Sequence, residues 1–372
     1  SFPGTVAELL RDLVRIPSVN PAGDPGTDKV GEKRLALHLA ELLRELGAEP
    51  ELHEVFDDRP NLLARFPTNA PGKPRLLLAP HTDTVSVVGM TIDPFGGVIE
   101  EGKVFGRGAC DTKGTIAAML MALRKLGPDR IAQLGHEIWF AGLMGEEAGL
   151  QGARALVKDF RPDFVLVGEP TEMGIVVRHK AAAWLTIRTK GAAVHASMPE
   201  KGRNAIVAMT RIIDALVEYA SKDLSREEDD MLGRSTLSVG VITGGSKVNI
   251  VPDSCVVEVD VRFIPSIDVE KLERDLREVV RKAEPDAAMD FLYTGPLQTD
   301  PAHPLIGVLQ EAGGTICGAP WQCDAAVFSQ AGIPAVAAGP GSIAQAHTCD
   351  EWVSIDQLER GVAFYHDFLS NC

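Results

Sequence analysis

The sequence has no excess of basic charge, and that removes one class of function at once. Asp and Glu number 52 against 37 Lys and Arg, a formal net charge of −15 at pH 7. No Lys/Arg run forms the stripe that a nucleic-acid binder shows, so no nucleic-acid partner is expected. Cysteine is sparse. The six residues, Cys110, Cys255, Cys317, Cys323, Cys349 and Cys372, contain no CxxC pair, and they lack the density of a disulfide scaffold. No apolar run approaches the roughly 18 residues of a membrane span. The opening segment, SFPGTVAELLRDLV, lacks the charged, apolar and small-residue order of a signal peptide. The expectation is a cytoplasmic protein in a reducing compartment, with no membrane partner. Internal repeats and low-complexity tracts are absent as well.

What is present is enough apolar material for a large core. Hydrophobic residues make up 45% of the 372 positions, so neither disulfide nor metal is required merely to fold. At about 150 residues per domain the length suggests two or three domains. Residues 5–16 and 30–46 carry apolar side chains at helical spacing, the first stopping before Pro17 and the second closing on Gly47. Short continuous apolar runs follow at 76–79, 138–141, 164–167 and 334–338, with helical patterns such as 114–126 between several of them. Buried parallel strands alternating with helices give this pattern, an α/β fold with a mainly parallel sheet flanked by helices. A last helix is expected near 357–369.

The middle of the chain reads differently. From about residue 183 the order is strand (WLTIRT), helix (203–219), two strands (TLSVGVI and CVVEVDVRF), helix (268–283) and strand (MDFLY). That is the ferredoxin-like βαββαβ order. Val257, Val259, Val261 and Phe263 alternate with Glu258, Asp260 and Arg262, so one face is packed and one is wet. Residues 180–292 are therefore expected to form a smaller domain inserted into a larger one built from 1–179 and 293–372.

In parallel sheets, ligands bind beyond the carboxyl ends of the strands, and polar residues recur there. His81 follows the first run in His81-Thr82-Asp83. On an extended loop residues two apart point the same way, so Asp83 can take the far ring N–H and fix the tautomer of a metal-bound His81. A surface His–Asp pair at a turn is the ordinary alternative. The stretch Gly106-Arg107-Gly108-Ala109-Cys110-Asp111-Thr112-Lys113-Gly114 is glycine-rich, but its order is Lys-Gly rather than Gly-Lys-Ser/Thr, and the third glycine of a dinucleotide fingerprint is missing. Its glycines suit a tight turn aiming Asp111 inward; the alternative is a plain helix cap. Glu146-Glu147 follows the second run. Adjacent carboxylates beside a buried strand repel unless a cation neutralises them. One can hold a metal while the other takes a proton from water, whose pKa a bound cation lowers toward about 7. Glu169 follows the third run in Gly168-Glu169-Pro170. His347 follows the fourth, after the turn Gly339-Pro340-Gly341-Ser342. Two imidazoles and three carboxylates suit two Zn²⁺, with Co²⁺ or Mn²⁺ as substitutes, and need no cysteine.

Taken in order, His81-x-Asp83, Gly-Arg-Gly-x-x-Asp111-x-Lys-Gly, Glu146-Glu147-x-Gly149, Gly-Glu169-Pro and Ala-His347-x-x-Asp-Glu resemble the dizinc deacylase/carboxypeptidase family. This family includes acetylornithine deacetylase, succinyl-diaminopimelate desuccinylase and glutamate carboxypeptidase. The resemblance spans essentially the whole chain. It implies a zinc-peptidase-like catalytic domain, one zinc on His81 and Glu169, another on Glu147 and His347, and Asp111 bridging them. Glu146 becomes the general base and Asp83 the residue that orients His81. The inserted domain is implied to be a lid through which the chain forms a homodimer. Gly191-Ala192-Ala193-Val194-His195 matches the family's oxyanion-stabilising histidine motif, with His195 reaching the partner's active site. Lys247-Val248-Asn249 and Asp260-Val261-Arg262 match positions that bind a substrate carboxylate, which gives Asn249 and Arg262; Gly341 and Ser342 lie on the substrate-side loop. Without the resemblance, Arg262 reads as a charge on the wet sheet face. One departure is Ala181 after His179-Lys180, where the family has Gly.

The implied activity is amide hydrolysis of a small N-acyl amino acid. The stretch from Gly339 to His347 most resembles the acetylornithine-cleaving members; a desuccinylase or a dipeptidase/carboxypeptidase acting on short peptides carries the same catalytic motifs. A metal-binding dimerisation protein without activity is the reading from another class. Glu146 separates them, because an inactive relative has no use for a base.

Overall fold

The computed structural model describes residues 2–372. It divides into two compact units, one made of residues up to Val177 with Leu297–Gly318 and Cys323–Cys372, the other of Arg178–Pro296 with Ala319–Gln322.

The first unit is built on a mixed sheet. Its strand order is Glu49–Phe56, Arg59–Arg65, Glu137–Gly142, Arg75–Pro80, Phe164–Gly168, Ala335–Ala337, Gly174–His179 and Leu297–Gln298, with Thr315–Ala319 also pairing Gly174–His179. The four apolar runs of the sequence are its central strands and run parallel. Their side chains are almost wholly buried on both faces, which is why they carry no polar alternation. The register brings their carboxyl ends level: Pro80 lies opposite Gly168, and Ala337 opposite Val167. Helices cover the sheet. Lys113–Leu126 buries every residue from Lys113 to Leu123 and packs against Val6–Val14 and Ile355–Asn371. Val6–Val14 begins on a capping box between Thr5 and Glu8.

Two features of this unit have no counterpart in the sequence reading. The hairpin Glu49–Phe56/Arg59–Arg65 adds antiparallel strands to one edge. The outer strand is largely exposed, so charged residues sit on it freely and no apolar run marks it. A three-stranded sheet joins Val98–Glu100, Lys103–Phe105 and Trp352–Ser354. Its tight turn has Glu101 and Gly102 both at positive φ, the requirement of a two-residue hairpin loop.

The second unit has a four-stranded antiparallel sheet in the order Thr236–Gly244, Ser254–Phe263, Ala181–Lys190, Ala288–Thr294. With helices Ala205–Tyr219 and Val269–Ala283 in sequence this is the ferredoxin-like βαββαβ arrangement. Asn204 and Asp268 cap the two helices. Ala183, Leu185, Ile187, Val257, Val259, Val261 and Phe263 form the core beneath them. The unit closes later than residue 292, because Thr294 still pairs with Ala182. An excursion absent from the minimal motif, Ala220–Leu224 and the short hairpin Glu228–Asp229/Gly233–Arg234, precedes the second strand. Ala181, where the resemblance leads to an expectation of Gly, is buried strand backbone outside the positive-φ region, so its methyl group is accommodated without strain. No helix among the described residues is long and apolar enough to cross a membrane.

Candidate metal centre

The level strand ends set the site. His81 and Glu169 are the first residues beyond the paired Pro80 and Gly168, and they are 1% and 4% exposed. The second strand continues through Leu143, which bridges to His81, and Gly145 at positive φ then turns the chain into the short helical turn Glu146–Ala148. Gly339 lets the fourth strand end close against the third: a Cβ there would meet the Glu169 carbonyl oxygen at 2.7 Å and the Tyr365 hydroxyl at 2.6 Å.

Asp111 lies between the two imidazoles. Its Oδ1 is 3.0 Å from His81 Nε2, and its Oδ2 is 3.2 Å from His347 Nε2. It makes no helix cap; Thr112 occupies that position. His347 Nε2 is also 3.2 Å from the Glu147 carboxylate. The residues form two groups that share Asp111: His81, Asp111 and Glu169, and Asp111, Glu147 and His347, with ligand atoms within 4.8 Å of one another in each. A third such group is His81, Glu146 and Glu147.

Asp83 does more than the sequence suggests. The His81 Nδ1–H donates to the Asp83 main-chain oxygen at 2.9 Å, while the Asp83 carboxylate is farther from the ring, at 3.5 Å. That carboxylate accepts from Asn20 Nδ2 at 2.8 Å and from the main-chain N–H groups of Glu146 and Glu147 at 3.0 and 3.1 Å. It therefore locks the Glu146–Glu147 turn beside His81. Burial would raise its pKa, but the bonds from His81 and Asn20 hold it below the ordinary value.

The donor set fits dications. With Nδ1–H committed to a carbonyl, a neutral His81 ring turns its Nε2 lone pair toward an Asp111 oxygen, an arrangement that only a proton or a cation relieves. Glu169 Oε1 is buried with no hydrogen-bond partner, which in a native protein calls for an ion or water. Burial lifts the carboxyl groups of Glu146 and Glu169 well above the usual carboxylate range, and neighbouring carboxylates lift them further. Asp324 belongs to the same crowd. It is 1% exposed, both its oxygens lack partners, and burial pushes its pKa up to about 7. Sequence reasoning missed it because Gln322-Cys323-Asp324-Ala325 follows no apolar run and matches no motif.

The protons on the imidazoles give a test. Hydrogen bonds to Asp111 and Glu147 raise His347 to about 10. Burial pushes His81 down, yet its bonds to Asp111 and Asp83 carry it well above the ordinary histidine value. Metal-free protein at pH 7 thus holds His347 protonated, the bonds on His81 favour its charged form, and a metal needs both lone pairs. Zn²⁺ loading at pH 7 is expected to release about one or more protons per chain, with affinity rising as pH climbs toward 10. Calorimetry in buffers of different ionisation enthalpy reads the number; a slope near zero would mean that the rings were already neutral.

The second unit holds the other candidates. Ser197 N–H donates to His195 Nδ1 at 3.2 Å, which leaves Nε2 to carry the proton of the neutral ring and act as donor. His195 bridges to Ile250, and Ala196 N–H donates to the Asn249 oxygen at 3.0 Å, so the His195 and Asn249 motifs lie side by side. Arg262 is not a free fork. Its Nε and Nη2 contact the two Asp260 oxygens at 2.8 and 3.0 Å, because residues two apart on a strand share a face. In the first unit, Ser342 pairs with Thr171, and Gly341 is at positive φ.

Known proteins resemble the chain over most of its length. The model of peptidase family M20/M25/M40 matches residues 77–371. Acetylornithine deacetylase of Proteus mirabilis is 32% identical over 371 residues, covering 95% of this chain and 93% of that protein. The Vibrio campbellii enzyme of the same name is 30% identical, over 95% and 94%. Among solved structures, an M20 family metallo-carboxypeptidase from Sulfolobus solfataricus superposes with a TM-score of 0.83 at 20% identity, over 98% of each chain. A dinuclear metal binding peptidase of the M20 family from Bacillus subtilis gives 0.70 at 17% identity, over 98% of this chain and 96% of the other.

Proposed function

The chain belongs to peptidase family M20/M25/M40 and is a metal-dependent amidohydrolase, and we propose that it removes the acyl group from a small N-acyl amino acid, N-acetylornithine first among them. What supports the activity most directly is Asp111, which presents one carboxylate oxygen to His81 and the other to His347. The likeness to acetylornithine deacetylases over nearly the full chain supports the substrate.

On this reading His81, Asp111 and Glu169 would hold one metal and Asp111, Glu147 and His347 the other; zinc would suit the mixed imidazole and carboxylate set. When bound, two dications supply Lewis acidity toward the scissile carbonyl and lower the pKa of water. The protein's own groups do the rest. Glu146 takes the proton of the attacking water and passes it to the leaving amine, and its raised proton affinity suits a group that must hold that proton between the two steps. Asp83 fixes both His81 and the Glu146 backbone. His195, with Nε2–H as donor, stabilises the oxyanion, in the neighbouring subunit of a homodimer formed through the inserted domain. Arg262 and Asn249 take the substrate carboxylate, with Gly341 and Ser342 on the substrate-side loop. For Arg262 this means exchanging Asp260 for the ligand. The reading places the enzyme in the cytoplasm.

A hydrolysis screen with added Zn²⁺ or Co²⁺ tests it. N-acetylornithine, other N-acetyl amino acids, N-succinyl-diaminopimelate and several dipeptides are compared by kcat/KM. N-acetylornithine is expected to lead. A dipeptide leading by tenfold or more (about 1.4 kcal/mol in transition-state binding) replaces the deacylase reading with a peptidase one.

A further inference from the structure

One buried carboxylate outside the ligand set spends its hydrogen-bonding capacity on the loop that carries Asp111. Glu351 is 0% exposed. Its Oε1 accepts from the main-chain N–H groups of Cys110 and Asp111, both at 2.9 Å. Its Oε2 accepts from Gly108 N–H at 3.1 Å and Arg107 Nη1 at 2.8 Å. Arg107, 3% exposed, is held in turn by the Ser86 oxygen at 3.0 Å. A carboxylate is buried at a large desolvation cost unless it is paired and fully bonded; this one is both. The backbone adds to the joint: Gly106 N–H donates to the Glu351 oxygen at 3.0 Å, and Trp352–Ser354 pairs with Lys103–Phe105.

The joint closes one end of the segment that carries His347. The other end comes back to the same loop, where Cys110 Sγ contacts the Ser342 oxygen at 3.3 Å and a Cβ on Gly341 would meet Cys110 Sγ at 2.8 Å. His347 is thus suspended between two anchors on Cys110 and its neighbours. Its side chain is 52% exposed and its φ is +63°, so close packing does not fix it. His81 and Glu169 differ: they extend neighbouring sheet strands and are buried.

We infer that Glu351, with Arg107 as its counter-ion, is a positioning residue that sets His347 against Asp111 and thereby governs affinity at the outer metal position, on Glu147 and His347, more than at the inner one, on His81 and Glu169, which shares only Asp111 with it. This rests on the two-metal reading. Gln at 351 keeps the shape but turns an NH₂ group toward N–H donors, so it breaks half of the joint. Met at 107 removes the charge and leaves the three main-chain bonds.

The test titrates metal-free wild type, Glu351→Gln and Arg107→Met with Zn²⁺ by calorimetry against a competing chelator, beside thermal melts. Wild type is expected to show two binding events. Glu351→Gln should keep the first within about threefold and weaken the second by about 10–100-fold, the range for losing a contact that orients a ligand. Turnover should return as free metal is raised, and Arg107→Met should show a smaller loss of the same kind. Unchanged second-site affinity, or equal weakening at both sites in step with the melting temperature, overturns the assignment. If Glu351→Gln does not fold, Arg107→Met decides on the same criterion. Fewer than two events in wild type brings down the two-metal reading and this inference with it, and that trace tells the two failures apart.

Discussion

Glu146→Gln is expected to lower kcat by about 10²–10⁴-fold, the range for losing a positioned acid–base group, with both metals still bound. The amide matches the carboxylate in size and cannot take a proton at neutral pH. The main-chain N–H of residue 146, which donates to Asp83 at 3.0 Å, is untouched, so the turn carrying Glu147 stays in place. Burial holds the carboxyl of Glu146 well above its ordinary value, and Glu169 and Glu147 add to the effect. Removing its charge from a crowd of carboxylates should therefore leave metal-free stability no worse. Steady-state kinetics and metal analysis on one preparation give the answer; turnover within tenfold of wild type removes Glu146 from the mechanism. The same variant tests the proposed dimer. Mixed with His195→Ala subunits it should recover part of the activity, because some sites then combine an intact Glu146 with an intact His195. No recovery despite demonstrated subunit exchange would count against a shared site.

The sequence makes this centre legible through one physical rule. Strands buried on both faces must be apolar throughout, so a charged or imidazole side chain straight after such a run marks the rim of the sheet. His81, Glu169 and the Glu146–Glu147 pair stand out for that reason. Asp111 and His347 lie on loops and have no such marker; their glycine-rich surroundings and the ordered family motifs single them out. Asp324 is nearly invisible in the sequence, and Glu351 shows there only as the last residue of the motif that carries His347, with no role attached. What makes them matter is burial with unsatisfied oxygens in one case and four converging donors in the other, and both arise only after the chain has folded.

Other features are hidden for related reasons. The strand Glu49–Phe56 packs one side weakly and carries Glu49, Glu51 and Glu54 outward, so its pattern looks like a loop. Asp260 and Arg262 read as separate wet-face charges, although a strand period of two places them together and lets one neutralise the other. On the proposed assignment of Arg262, a substrate carboxylate would meet an arginine that already has a partner. The acidic residue beside it thus enters any account of affinity at this end of the substrate.

Asp111→Asn carries the other large effect. A carboxylate offers a ligand oxygen to each side; an amide offers one oxygen and an NH₂ group that carries no usable lone pair. Whichever way the amide turns, one of His81 and His347 faces the NH₂ group where it now faces an oxygen at 3.0 or 3.2 Å. At least one metal should therefore be lost, by more than the about 10–100-fold that follows removal of a contact to a ligand. Turnover should fall at least as far as in Glu146→Gln, since the loss reaches the water, the carbonyl and the spacing between them at once. The two variants differ in what repairs them. Raising free Zn²⁺ should leave Glu146→Gln unchanged, whereas it should restore part of the metal content of Asp111→Asn with little activity. His347 supplies a second signature: Asp111 is the first of the groups holding its pKa near 10, so in metal-free Asp111→Asn its titration, followed by NMR, should move down toward the ordinary histidine value. Two metals bound with wild-type affinity by Asp111→Asn would show that the carboxylate does not bridge, and the site would then have to be rebuilt around the group formed by His81, Glu146 and Glu147.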